Sequence, residues 1–295
     1  MVSVERLKPD RWPTLNPVPE YLADADRLAV YADTKHVLQV PWMGVVTMAF
    51  AHYPTFYQTL WGGVRDLAAS KAFVDASQHL RRRAEAHARD LKPTELRGRL
   101  TNIGYADREQ GDIDTCLEMF SHGNQPYLLI ATIARLLLEG HALSSDAELP
   151  RPAGRHGPSD GQTLVLIEPH HADAGTRAVY DSIKSTLGLP FVNTDYRALA
   201  RWPSYFALAW DDLAEKIAQP DYITAVTDVH RTAIELALSL PNPGGLKTED
   251  LRKSAEADAP IDEVLSVVQL FQWLLPGLVL NVAYFRAQMK PRSLP

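Results

Sequence analysis

Apolar residues recur at intervals of three and four along most of this chain. The runs are Tyr21–Leu38, Val45–Leu67, Phe73–Leu91, Ile113–Leu138, Arg177–Leu187, Ala198–Ile217, Tyr222–Leu240 and Val264–Ala287. That spacing lines up one face of an α-helix, so each run predicts a helix burying a stripe. Only Leu164–Ile167 reads as strand-like, and so short a run has nothing to pair with. The pattern predicts an all-α protein. Residues 144–163 (SSDAELPRPAGRHGPSDGQT) break the periodicity with Pro, Gly and charge and read as a linker. PNPGG at Pro241–Gly245 is a turn that ends a helix.

The pattern also repeats. Tyr31–Trp61 laid over Tyr180–Trp210 without a gap gives eight identities in 31: Tyr31/Tyr180, Lys35/Lys184, Leu38/Leu187, Pro41/Pro190, Ala49/Ala198, Ala51/Ala200, Pro54/Pro203 and Trp61/Trp210. Average composition would give about two. The expectation is an internally duplicated pseudo-dimer, with a first helical repeat at 1–143, the linker at 144–163 and a second repeat at 164–295. The halves pack as one compact domain, and a shared site falls naturally between them. Where the copies differ is informative: Gly44, Val45 and Val46 stand opposite Asn193, Thr194 and Asp195. Symmetry is broken there toward polarity.

Composition narrows the classes. With 46% hydrophobic and 22% charged residues the 295-residue chain is globular. A net charge of −6 without a basic face gives no footprint for nucleic acid. Arg81–Arg83 are followed closely by Glu85, Asp90 and Glu95 and read as a solvated helix face. Cys116 is alone, which fits a reducing cytoplasm. The first residues, MVSVERLKPDRWP, lack the apolar stretch of a secretory signal. Val264–Phe285 is long enough to span a bilayer, but Gln269, Gln272, Pro276 and Asn281 interrupt it, and the reading is a buried central helix without membrane contact.

No phosphate-binding loop, dinucleotide fingerprint, nucleophile elbow or H-E-x-x-H motif is present, so no cofactor is expected. His170 and His171 beside Glu168 read as surface histidines, and no metal site is expected. Two polar spots inside apolar surroundings remain. Asn193-Thr194-Asp195 reads structurally as a helix start, with Asn193 or Thr194 as N-cap and Asp195 in the first turn. The second, Phe120–Tyr127 (FSHGNQPY), puts Gly and Pro inside a helical run, which reads structurally as a kink. Broken local rules inside buried elements are equally where sites fall.

These spots also carry a resemblance. VPW at Val40–Trp42, LTNIG at Leu100–Gly104, HGN with Tyr127 at His122–Tyr127, and DYRALARWP at Asp195–Pro203 occur in order. The last three resemble LLNIG, YGNPKYLL and SDFQALANWP of the group I 2-haloacid dehalogenases, the DehI type. The resemblance covers most of the chain. It implies an all-α pseudo-dimer with the active site between repeats, acting on a small anionic haloacid, and a homodimer. It implies Asp195 as the catalytic aspartate and Asn124 as the holder of the hydrolytic water. Trp42 and Tyr127 would line the pocket, Thr194 replaces a Ser beside the aspartate, and Asn193 falls where D-specific members carry Asn, implying a D preference. Val45 for Phe, and Gln272 near a Tyr, are departures that bear on pocket size.

That chemistry needs an ionised carboxylate near a water held in an apolar pocket, which Asp195 and Asn124 can supply. The expected reaction is hydrolysis of short 2-haloalkanoic acids to 2-hydroxy acids with inversion. Attack by Asp195 itself to form an ester is the alternative path. The other readings are hydrolysis of another 2-substituted acid, and a helical binding protein in which Asp195 only caps a helix.

Overall fold

The computed structural model describes residues 4–144, 149–158 and 163–290. Within them lie twelve α-helices, a 3-10 turn at Glu20–Leu22 and no strand. Leu164–Ile167, read as strand-like, has no regular structure. Of the linker, 145–148 and 159–162 lie outside the described residues.

The helices are α1 (Ala25–Leu38), α2 (Val45–Phe50), α3 (Pro54–Ala68), α4 (Lys71–Asp90), α5 (Arg97–Asn102) and α6 (Asp107–Leu138). They continue with α7 (Ala174–Leu187), α8 (Thr194–Leu199), α9 (Pro203–Ile217), α10 (Pro220–Ser239), α11 (Thr248–Asp258) and α12 (Ile261–Gln288). Helices α1–α4 and α7–α10 have the same lengths in order, 14, 6, 15 and 20 residues.

The local reasons are legible. Asp24 and Asp173 cap α1 and α7 by accepting from the Arg27 and Thr176 N–H groups. The expected single helix Val45–Leu67 is two, because Pro54 has no N–H to continue α2 and instead opens α3. Pro203 divides Ala198–Ile217 in the same way. Helices α5 and α11 were not expected; they bury one and three residues, too few for a visible stripe. Helix α6 begins six residues before the expected Ile113, through a polar first turn in which Glu109 accepts from the Ala106 N–H.

The two longest helices, α6 and α12, pack against each other and are buried for most of their length. Helices α4 and α10 flank them. By length and composition α12 could cross a membrane, but 67% of its apolar window is buried within the protein. Helix α6 continues through Gly123 and Pro126, with Pro126 inside the helix. Gly123 serves close approach. A Cβ there would lie 2.4 Å from the Trp42 ring.

Charge pairs tie the helices together rather than merely facing water. Arg81 and Arg286 both contact Glu85 and Glu118, joining α4, α6 and α12. Arg83 and His87 on α4 reach Asp228 on α10, whose carboxyl is held well below its ordinary range by Arg83 foremost. Arg82 and Arg83 are exposed, as a solvated helix face requires, while Arg81 and Arg83 also reach neighbouring helices.

Candidate active site

Two short helices begin at the same place. The start of α2 (Gly44, Val45, Val46) and the start of α8 (Asn193, Thr194, Asp195) line one cavity with Trp42, and with Asn124 and Tyr127 from α6. Phe271, Leu274, Leu275 and Leu278 of α12 complete the wall. The structure thus brings all seven expected site residues together. The cavity is narrow, about 30 Å³, room for one or two waters.

Asp195 is 3% exposed. Its Oδ1 accepts from Asn124 Nδ2 at 2.7 Å, a direct contact rather than one through water. Burial pushes its carboxyl up to about 6, against the lowering effects of the Asn124 hydrogen bond, its own backbone N–H and the Arg197 charge. An aspartate that merely capped an exposed helix would not show this burial or this shift.

Aromatic packing sets the apolar side. The Trp42 ring lies edge-on to Phe120 (4.9 Å between centroids) and to Tyr127 (6.3 Å). The Tyr127 hydroxyl donates to the Trp42 carbonyl at 2.9 Å. Gly44 lets the Tyr127 ring approach, since a Cβ there would lie 2.9 Å from it. Burial raises the Tyr127 hydroxyl far above its ordinary value, so it stays protonated.

Other residues stand at the edge of this cavity or away from it. Asn193 occupies the N-cap position of α8, but its side chain makes no capping bond and its buried Oδ1 has no partner. Gln272 does not face the cavity. It is fully buried, accepting from Arg135 at 2.6 Å and bonded to His230 Nδ1 at 2.9 Å. Burial lowers His230 to about 4, which keeps it neutral with its proton on Nε2 for the Val4 carbonyl. Arg197 is committed to Glu168 and Thr194, and Arg201 lies over Trp202. His170 and His171 are exposed.

Periodicity gave no sign of Phe271, Leu274, Leu275 and Leu278. In a helix as apolar as α12, a wall residue looks like any core residue.

A family profile described as "Halocarboxylic acid dehydrogenase DehI" matches residues 41–189. The chain is 43% identical over 248 residues to an (R)-2-haloacid dehalogenase of Rhizobium sp. (strain NHG3), covering 84% of this chain and 96% of that one. A solved D-2-haloacid dehalogenase in complex with L-LA superposes with a TM-score of 0.88 at 34% identity, over 98% of this chain and all of that one. A D-2-haloacid dehalogenase mutant with D-2-CPA gives 0.86 at 34% identity, over 94% and 97%.

Proposed function

This chain belongs to the DehI family of 2-haloacid dehalogenases, and we propose from that premise that it hydrolyses short D-2-haloalkanoates to L-2-hydroxyalkanoates. The observation that carries the reading is the buried Asp195–Asn124 pair in an apolar, aromatic cavity. Water attacks C2 from the side opposite the halogen. The new C–O bond takes the water's electron pair, the C–halogen bond breaks, and the halide leaves with its pair. The water proton passes to Asp195 and then to solvent. One inverting displacement connects D-2-CPA to L-LA, the two ligands of the related structures.

The residues divide the work. Asn124 holds one Asp195 oxygen by its N–H, leaving the other for the water, while its amide oxygen can orient that water. A base raised to about 6 is mostly ionised at neutral pH and accepts a proton more readily than an ordinary carboxylate. Trp42, Tyr127 and Val45 bound the side that receives halogen and alkyl group, and Thr194 adjoins the aspartate. Halide release from D- and L-2-chloropropionate, each alone, tests the reading. Release from the D substrate alone is expected. Release from both contradicts the stereochemical assignment, and release from neither contradicts the activity.

Two further outcomes follow. The pH profile of kcat/KM rises through an apparent pKa near 6 and is level above it, because only ionised Asp195 takes the proton; an ordinary aspartate would give a rise near 4. Asn193→Ala removes an unpaired buried oxygen from the cavity wall and opens room on that side. The ratio of L to D activity is expected to rise about tenfold, read from kcat/KM for each enantiomer.

The site also suits a duplicated chain with repeats at 1–143 and 164–295. Helices α7–α10 begin at Ala174, Thr194, Pro203 and Pro220, a constant 149 positions beyond Ala25, Val45, Pro54 and Lys71. Hydrogen bonds match as well: Tyr31 to the Val18 carbonyl and Tyr180 to the Ile167 carbonyl, Trp61 to Asp33 and Trp210 to Ser182. Val46 and Asp195 then occupy corresponding places on two sides of one cavity. The family resemblance supports a homodimer, which sedimentation equilibrium checks.

A further inference from the structure

Against the catalytic cavity lies a second one of about 180 Å³, and the two share Asn193, Leu274 and Leu278. A larger cavity of about 310 Å³ beside His122 and His156 shares no lining residue with the catalytic one. The 180 Å³ cavity thus shares wall residues with the cavity that holds Asp195.

Its chemistry is cationic. Arg6 reaches it from the N-terminal segment, its Nε donating to the Trp273 carbonyl at 3.0 Å and its guanidinium 5.1 Å from the Trp273 ring centre. No carboxylate pairs with Arg6 among the described residues, and burial lowers its affinity for its proton. Of the other polar groups in the cavity lining, Tyr222 donates to Asn281 and Asn281 to Tyr196, while Asn193 Oδ1 has no partner. Arg6 is also held in place. Arg135 and His230 grip the backbone carbonyls of Glu5 and Val4 on either side of α12's Gln272. A half-buried cation with no counter-ion is costly until an anion reaches it.

The reaction supplies that anion. A haloalkanoate must approach a protein of net charge −6 and an ionised aspartate, and a cation beside the path offsets that repulsion. We propose that the Arg6 cavity is a vestibule that captures the haloalkanoate by its carboxylate and passes it, between Asn193, Leu274 and Leu278, to Asp195. Arg6 acts on binding and not on the reacting atoms. The proposal rests on the dehalogenase reading above.

The test compares kcat and KM for D-2-chloropropionate in the parent, Arg6→Gln, Arg6→Lys, Ile223→Glu and Ile223→Lys. Ile223 lines the same cavity and is 55% exposed, so both of its variants can fold with Arg6 untouched. Arg6→Gln is expected to raise KM about tenfold with kcat within about twofold, and Arg6→Lys to recover part of the loss. Ile223→Glu raises KM and Ile223→Lys lowers or preserves it, with both effects shrinking as ionic strength rises. Unchanged KM in the Ile223 pair, or a fall in kcat at constant KM in Arg6→Gln, overturns the vestibule while parent activity keeps the dehalogenase. A drop in melting temperature shared by both Arg6 variants, with the Ile223 pair silent, makes Arg6 a strap residue and also overturns it. A parent that releases no halide overturns the reading beneath it as well.

Discussion

Asp195→Asn is expected to release halide about 10³–10⁴-fold more slowly than the parent and yet to unfold less readily at neutral pH. The first effect is loss of the proton acceptor. An amide of the same shape can still accept from Asn124 through its oxygen, so the cavity is preserved while the chemistry is not. The second effect comes from the raised pKa. Burial lifts Asp195 from the ordinary carboxylate range to about 6, so the folded state holds this proton more tightly than the unfolded chain. The stability this confers is complete below about pH 4 and is lost as pH rises through 6. At pH 7 the buried charge costs on the order of 2–3 kcal/mol, which the neutral amide avoids. Urea melts at pH 7 and pH 4 check the claim: the variant is more stable at pH 7, and the gap closes at pH 4. A variant less stable at pH 7 would mean that Asp195 stabilises the fold.

Gly123→Ala is expected to lower kcat/KM about 100-fold and stability by about 1–3 kcal/mol. In most helices Ala replacing Gly adds about 1 kcal/mol. Here the new methyl would fall 2.4 Å and 2.9 Å from two atoms of the Trp42 ring and 3.1 Å from Val40. Phe120 and Tyr127 already pack against that ring, so it moves at the expense of the cavity it lines. Asn124 is the next residue along. Gly111 on the same helix is the control, because a Cβ there meets nothing within 4 Å. Gly111→Ala is expected to gain up to about 1 kcal/mol and leave turnover unchanged. Chemical melts and steady-state kinetics on both variants read the opposite signs.

How far the sequence could be read depends on the kind of residue. The helical stripes were visible because burial on one face imposes the 3.6 period, and the long helices α6 and α12 emerged from it. The breaks at Pro54 and Pro203 were in plain sight as prolines, yet the apolar period continues across each and conceals them. Helix α11 buries only Leu251, Ser254 and Ala255, which leaves almost no stripe.

At the site, Asp195 and Asn124 stood out because polar groups interrupt apolar runs, and Val46 opposite Asp195 in the overlay of Tyr31–Trp61 on Tyr180–Trp210 pointed at Asp195. The roles of Gly44 and Gly123 come from rings that approach from other helices, a fact no local pattern contains. Asn193 reads as a cap on local grounds, and tertiary packing turns it into a cavity wall instead. Arg6 lies outside every periodic run, and its place depends on Trp273 some 267 positions away.

In the proposed mechanism water, and not Asp195, forms the new bond to carbon. A single turnover of D-2-chloropropionate in H₂¹⁸O, with enzyme in excess, tests it most directly by mass spectrometry of lactate and of the peptide carrying Asp195. Direct attack puts one ¹⁸O in L-lactate and none in Asp195. Unlabelled lactate in that first turnover, with ¹⁸O in the Asp195 carboxylate, would show an ester intermediate and contradict the mechanism.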